Sequence, residues 1–305
     1  MKSGKKILLT GASGLLGRHL LVELKQKHDV FALGRSPVVD LSSEKVLAGD
    51  ILNFSDVYQK ITRLNPDLII HCAAMSQVDE CEKNPDLAFR LNALATRNIA
   101  VAAQRFDAEV LYISTDYVFS GEKDFVLKNR PGYSELDHPR PVNVYGWSKY
   151  WGEIYIRELL NKFFIVRSSW FFGVGKNNFI LDIYQRLKSN REVLVTGEMT
   201  STPTYVRDLA AAIAQLIETS AYGIYHLSNR PAVSRYEVAR YLAGYQKSSA
   251  NLIKEVSLAE LKLAAARPKF SGLDNYHWYL EGFAPLRPWT EAVKDYLHEL
   301  ENSNR

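Results

Sequence analysis

Tyr145 and Lys149 stand four residues apart in the run YGWSK, 145–149. On a helix, positions four apart share a face. A phenol beside an ammonium has its anion stabilised, which pulls its pKa down from about 10 towards neutrality. Such a phenol can give or take a proton at cellular pH. Chance also produces this spacing, as a half-buried tyrosine and a solvated lysine, so other residues must decide. A second group does. Gly11, Gly14 and Gly17 follow the apolar run KILLT and open the run LLGRHLLVEL, in a G-x-x-G-x-x-G spacing that also holds Ser13, Leu15 and Leu16. Small residues let backbone approach a pyrophosphate, whose charge meets the free N–H groups at the start of the helix. A dinucleotide cofactor is therefore expected. The second strand ends FALGRS, giving Arg35 and no acid until Asp40. A carboxylate there would hold the ribose hydroxyls of NAD, whereas a guanidinium suits the 2′-phosphate of NADP. NADP is favoured and NAD stays open. Asp50, followed by Ile51, is placed to meet the adenine amine.

These groups need a scaffold, and the first two-thirds of the chain supply one. KILLT (6–10), DVFAL (29–33), DLIIHCAA (67–74), EVLYIST (109–115) and FFIVRSS (163–169) are apolar throughout rather than alternating. That pattern marks parallel strands covered on both faces. Helical stretches lie between them, including 84–106 with Leu87, Leu91, Leu94 and Ile99 near helical spacing. Strand–helix alternation predicts an α/β protein built on a doubly wound parallel sheet, a Rossmann arrangement. EVLVTG (192–197) and GIYHLS (223–228) should extend or flank that sheet, and 229–245 and 257–268 should be helices. The expected division is a cofactor-binding domain over 1–170, with 197–228 packing back onto it. A smaller C-terminal substrate lobe would cover 171–305, mostly 171–196 and 229–285.

The chain has 305 residues, 47% hydrophobic and 24% charged, which is ordinary for a soluble globular protein. Two cysteines, Cys72 and Cys81, imply no disulfide framework and point to a reducing cytoplasm. The apolar run behind the basic start is too short for a signal peptide, and none approaches the roughly 20 residues of a membrane span. A net charge of +4, spread over both signs, can attract an anionic small molecule but does not argue for nucleic acid. No ligand-spaced His, Cys or carboxylate cluster suggests a metal.

The motifs TGASGLLG, PDLIIHCAA, ISTDYVFSG, YSELDHPRPVNVYGWSK and VRSSWFFG resemble those of the extended short-chain dehydrogenase/reductases. More narrowly, they are similar to the dTDP-4-dehydrorhamnose reductases, and the likeness continues through GKNNF, STPTYVRDLA and ARPKFSGLDN. The resemblance implies that Tyr145 donates a proton to the developing alkoxide, that Lys149 holds the nicotinamide ribose and tunes the phenol, and that Thr115 hydrogen-bonds the reacting carbonyl. Ser114 precedes it at the same strand end. Ala73 and Ala74 would let the cofactor pass close, and Asn92 would sit behind Lys149. Ser76, Val78, Asp116, Tyr117 and Trp170 fall where the family forms its substrate pocket. Asn177, Asn178, Arg267 and Lys269 lie in motifs that would neutralise a sugar nucleotide's diphosphate.

The implied activity is NADPH-dependent reduction of a nucleotide-linked 4-keto-6-deoxysugar, most simply dTDP-4-dehydro-L-rhamnose to dTDP-L-rhamnose. Met75 stands where relatives carry tyrosine, and Glu198-Met199 replaces their Asp-Gln. Trp147, Tyr150 and Trp151 are either core or a subunit contact, which leaves a homodimer open. A sugar-nucleotide dehydratase or epimerase on the same fold lacks support, because Asp116 is followed by Tyr117 rather than a second acid. A non-catalytic subunit resembling the regulatory subunit of methionine adenosyltransferase is the third reading. Retention of Ser114, Thr115, Tyr145 and Lys149 speaks against it.

Overall fold

In a computed structural model, residues 4–35, 37–38, 41–122 and 130–303 are described; Ser36 and Asp40 lie outside them. Six parallel strands follow the chain: β1 Lys6–Thr10, β2 Asp29–Gly34, β3 Val46–Ala48, β4 Leu68–His71, β5 Glu109–Thr115 and β6 Phe163–Ser168. A seventh, Gly223–His226, adds beyond β6, giving the order (Gly223–His226)-β6-β5-β4-β1-β2-β3. The order reverses between β1 and β4, and the crevice outside that reversal is where open α/β sheets bind ligands.

The unbroken apolar runs have a direct cause. Ile7, Leu9, Leu68, Ile70 and Leu111 face one core, with Leu16, Leu20 and Leu24 of helix α1 (Leu15–Leu24) and with Leu209 and Ile213 of the helix Val206–Leu216. Their neighbours Leu8, Ile69 and Val110 face the other. There they meet Val57 and Ile61 of α2 (Phe54–Leu64), with Ile99 and Ala103 further along the chain. A shift of one residue in register would exchange every one of these faces, so burial on both sides does not by itself fix register. The polar residues at the strand ends do, because Thr10, His71 and Thr115 must all fall at one edge of the sheet.

The 84–106 stretch is helical but not one regular helix. After the short α3 (Val78–Lys83) and α4 (Pro85–Phe89), a π-helical turn at Arg90–Leu94 leads into α5 (Ala95–Arg105). The wide turn carries Asn92, fully buried, so the irregularity sits at a polar residue with specific partners. Helix α6 (Val144–Leu159) starts at Asn143, whose side chain accepts from Gly146 N at 2.8 Å.

Of the two runs expected to extend or flank the sheet, Gly223–His226 extends it, and Val193–Val195 stands outside it, paired in parallel with Ile253–Glu255. The helix expected over 257–268 requires correction. The 257–268 run contains only the single turn Ala259–Leu261; Leu263 is exposed, and within the run only Ala265 and Pro268 are buried. A separate core gathers Ile180, Ile183, Val238, Leu242, Val293 and Leu297 from the helices Phe179–Lys188, Arg235–Gln246 and Trp289–Ser303. Among the described residues no helix is long and apolar enough to cross a membrane. Trp147 and Trp151 are 43% and 41% exposed, while Tyr150 packs against the cluster of Phe119 and Tyr133.

Candidate active site

A cavity of about 570 Å³ opens at the carboxyl ends of the central strands. Gly11, Gly14 and Gly17 form one wall, Cys72 and Ala74 follow β4, Ser114 and Thr115 end β5, and Tyr145 and Lys149 come from α6. Leu15, Leu16, Ser76, Val78, Asp116, Tyr117, Trp170 and Asn177 complete most of the lining. Residues distant in sequence thus meet where the strand order reverses. Ser13, Arg35, Asp50, Ile51, Ala73, Asn92, Asn178, Arg267 and Lys269 are not part of that lining.

The glycine turn fits a dinucleotide. Gly11 has φ +69°, and a Cβ there would sit 2.7 Å from Ala73 N. A Cβ on Gly17 would stand 2.2 Å from Gly11 O, so the turn closes against the first coil of α1 only with glycine. Helix α1 has no side-chain cap and no acid in its first turn, which leaves its positive end open to an anion. Changing Gly17 to Ala is expected to cost about 1–3 kcal/mol through overpacking. It should also weaken dinucleotide binding; urea unfolding and a fluorescence titration check the two effects.

Behind the turn runs a buried polar chain that sequence reasoning missed. Thr10 Oγ1 donates to His71 Nδ1 at 2.7 Å, and His71 Nε2–H donates to Thr96 Oγ1 at 3.2 Å. Thr96 gives its own proton to the Asn92 carbonyl at 2.7 Å, which fixes this order of donors. Ala73 N–H completes the start of the chain at Thr10 Oγ1, 3.2 Å away. The Asn92 side chain then holds Met75 N and O at 2.8 and 2.9 Å and Ser148 Oγ at 2.9 Å. The Asn92 amide is thus engaged with Met75 and Ser148 rather than with Lys149. It ties the loop after β4 to the catalytic helix.

Burial lowers the His71 pKa to about 3, with the Lys149 charge adding to the effect. The unfolded histidine takes its proton near 6.5, a proton the folded chain refuses. The contribution of His71 to stability is therefore full above pH 6.5 and declines as pH falls towards 3. Nitrogen-15 NMR at about pH 5 should show His71 as a neutral Nε2–H imidazole.

The tyrosine–lysine pair needs a correction too. Burial pushes the Tyr145 phenol well above its ordinary value, with the Thr115 hydroxyl pulling it back, and Lys149 is not among the causes. Lys149 is itself lowered to about 7 by burial, against the attraction of Glu153. Its Nζ lies 4.0 Å over the Tyr112 ring. Helical spacing puts the two side chains on one face, but desolvation outweighs their mutual influence, leaving a protonated phenol.

Thr115 Oγ1 donates to Asp116 Oδ1 at 3.1 Å, so offering that proton to a ketone requires this bond to be exchanged. Asp116 lines the cavity while Oδ2 accepts from Ser201 at 2.9 Å and Ser271 at 2.6 Å; burial raises its pKa to about 6. Ser114 gives its hydroxyl to Glu153 Oε1 at 2.5 Å. Glu153 and Arg167, both almost completely buried, form a two-pronged pair at 2.6 and 2.9 Å. Neither was anticipated, although an arginine inside FFIVRSS was a signal that a buried partner must exist.

The outlying candidates have other jobs in this geometry. Asn178 caps the helix Phe179–Lys188 and donates to Gly173 O, Lys176 O and Tyr296 Oη. Arg267 pairs with Asp79 at 2.9 Å, and Lys269 is largely exposed, 3.6 Å from Glu198. Asp50 Oδ1 accepts from Leu52 N at 3.0 Å, and Arg35 is exposed just beyond β2.

A glycine turn at the sheet's reversal, with a Thr–Tyr–Lys set in the same cavity, defines an extended short-chain dehydrogenase/reductase. A model of the RmlD substrate binding domain matches residues 5–302. The chain belongs to the RmlD family. It is 33% identical over 295 residues to the spore coat polysaccharide biosynthesis protein SpsK of Bacillus subtilis, covering 96% of this chain and 97% of that one. It is 31% identical over 301 residues to a dTDP-4-dehydrorhamnose reductase of Mycobacterium tuberculosis, with 98% and 94% covered. The crystal structure of dTDP-4-dehydrorhamnose reductase from Bacillus anthracis in complex with NADP superimposes with a TM-score of 0.86 at 40% identity, covering 97% and 99%.

Proposed function

We propose that the protein is an NADPH-dependent reductase of a dTDP-linked 4-keto-6-deoxysugar, converting dTDP-4-dehydro-L-rhamnose to dTDP-L-rhamnose. One observation carries the reading. Tyr145 and Thr115 line the same cavity as the Gly11–Gly14–Gly17 turn, so a proton donor and a dinucleotide cradle open on one space.

NADPH, when bound, supplies the hydride. The chain's residues do the rest. The glycine turn and the open end of α1 hold the pyrophosphate, and Lys149 the nicotinamide ribose. Arg35, next to the end of β2, reads the 2′-phosphate, with Asp50 and Ile51 near the adenine. Tyr145, protonated at neutral pH, is ready to donate to an oxygen that becomes an alkoxide. Thr115 exchanges its bond to Asp116 for one to the ketone, and the Ser201 and Ser271 hydroxyls keep Asp116 in place when it does. Ser76, Val78, Tyr117, Trp170 and Asn177 shape the sugar side. Domain 1–170, with 197–228 returned to it, carries the cofactor, and the smaller lobe of 171–196 and 229–285 carries the substrate. The separate core of Ile180, Val238 and Val293 supports that division. The free thiols of Cys72 and Cys81 suit a cytoplasmic enzyme, and the exposed Trp147 and Trp151 suit a homodimer through α6.

The dehydratase reading fails on Tyr117, which occupies the place of the second acid. A purely regulatory subunit has no use for this set of donors. The test is steady-state oxidation of NADPH and of NADH with the ketosugar, and identification of the product by NMR. Turnover to dTDP-L-rhamnose with a lower KM for NADPH supports the reading; a clear NADH preference removes the role of Arg35, and no turnover with either removes the function.

A further inference from the structure

Three buried side-chain polar atoms have no hydrogen-bond partner among the described residues, and two of them sit together: Trp170 Nε1 and Arg235 Nε. The Arg235 guanidinium lies 5.1 Å from the Trp170 ring centre and 5.5 Å from that of Phe179, beside the two rings, which meet edge-on with centres 5.3 Å apart. No ion pair or side-chain hydrogen bond joins it to any described residue. The titratable groups whose charges act on it most are Tyr117, Arg267 and Asp116. Arg267 is already paired with Asp79, and the Asp116 oxygens are already bonded to Thr115, Ser201 and Ser271. Tyr117 and Asp116 favour its charge and Arg267 opposes it, but none of the three bonds to it.

Both orphans are donors only. An indole N–H and a guanidinium N–H cannot satisfy each other, and a buried donor without an acceptor is costly to keep. Trp170 is also a non-glycine residue held at φ +41°, a strained backbone of the kind that persists where function holds it. Trp170 lines the cavity along with Lys176 and Asn177, and Arg235 stands next to it, just outside that lining. What completes such a site is a ligand rich in acceptor oxygens and negative charge, reaching the cavity's substrate side.

We propose that the Arg235 guanidinium and the Trp170 indole N–H together bind the diphosphate of the nucleotide-sugar substrate. The inference rests on the reductase reading above and adds to it the residues that grip the substrate's charged middle. Arg235 is the first residue of the helix Arg235–Gln246, whose Ser234–Glu237 capping box fixes the backbone beneath it. Contact with the two aromatic rings restrains the guanidinium, and its N–H groups remain available to phosphate oxygens.

The test uses the full-length protein and dTDP itself, titrated by calorimetry against wild type, Arg235→Met and Arg235→Lys, with NADPH titrated in parallel. Arg235→Met should weaken dTDP binding by about 10- to 100-fold, the scale of a lost charge-assisted hydrogen bond. Arg235→Lys should recover part of it, and NADPH affinity should stay unchanged, which also shows that the variants fold. In turnover, Arg235→Met should raise KM for the ketosugar more than it lowers kcat. Equal dTDP affinity in wild type and Arg235→Met overturns the assignment while leaving the reductase reading intact. A raised ketosugar KM with unchanged dTDP binding overturns it as well, assigning Arg235 to the sugar ring. A fall in NADPH affinity assigns the anion to the cofactor and overturns it. Failure of the wild type to bind dTDP, with ketosugar turnover absent, removes the underlying reading.

Discussion

Tyr145→Phe lowers kcat by about a thousandfold, within the range expected when a positioned general acid is lost, and leaves NADPH affinity unchanged. The expectation follows from where the proton is. Burial keeps the phenol protonated, so its hydroxyl is the donor waiting at the cavity wall. Phenylalanine preserves the ring and its edge contact with Tyr117, 6.0 Å between centres, so packing is retained and only the proton is lost. Reduction of a ketone takes up one proton, and Lys149, lowered to about 7 and proposed to hold the nicotinamide ribose, is the member of the set that changes charge near neutrality. The wild-type rate should therefore decline with rising pH once Lys149 loses its charge. Stopped-flow and steady-state assays across pH measure both effects. Wild-type turnover in the phenylalanine variant, or a rate flat from about pH 6 to about pH 9, would count against the assignment of these two residues.

The second large effect is on stability. Arg167→Met should cost about 3–5 kcal/mol, because it leaves the buried Glu153 carboxylate with the Ser114 hydroxyl as its remaining side-chain partner. Arg167 also donates to His226 Nε2 at 3.4 Å, and His226 Nδ1–H in turn donates to Tyr133 O at 2.9 Å. The guanidinium therefore joins the catalytic helix to the strand Gly223–His226 at the sheet's edge. The double variant Arg167→Met, Glu153→Leu should regain most of the loss, since removing both charges removes the desolvation penalty along with the attraction. Urea unfolding of the four proteins of this cycle measures the coupling. Additive losses would mean that the pair is not held as described.

Much of the scaffold was legible because central parallel strands are buried on both faces. KILLT and EVLYIST read as strands for the same reason that Leu8 faces one core and Leu9 the other. The glycine turn was legible because only glycine meets its φ and its close approaches. What the sequence hid were arrangements settled by partners far along the chain. The π-turn around Asn92 exists to deliver an amide to Met75 and Ser148, and nothing local to 84–106 announces it beyond an asparagine within an apolar pattern. The 257–268 run has helical composition but buries only Ala265 and Pro268, and tertiary context overrides propensity there. The helix expected from 229 begins at Arg235, a boundary that the S-x-x-E of Ser234 and Glu237 marked in plain view. Among the site residues, types were easier to read than roles. Asp116 and Ser114 do line the cavity, but their bonds to Ser271 and Glu153, like that of Asn178 to Tyr296, come from partners far along the chain that no local pattern announces.

Isotope transfer tests the central claim most directly. With NADPH deuterated at the transferred position of the nicotinamide, and dTDP-4-dehydro-L-rhamnose as substrate, deuterium should appear at C4 of the deoxysugar, mole for mole with the cofactor oxidised. Deuterium at another carbon, or cofactor recovered unoxidised beside an altered sugar, would contradict a reductase that delivers hydride and proton to the same ketone.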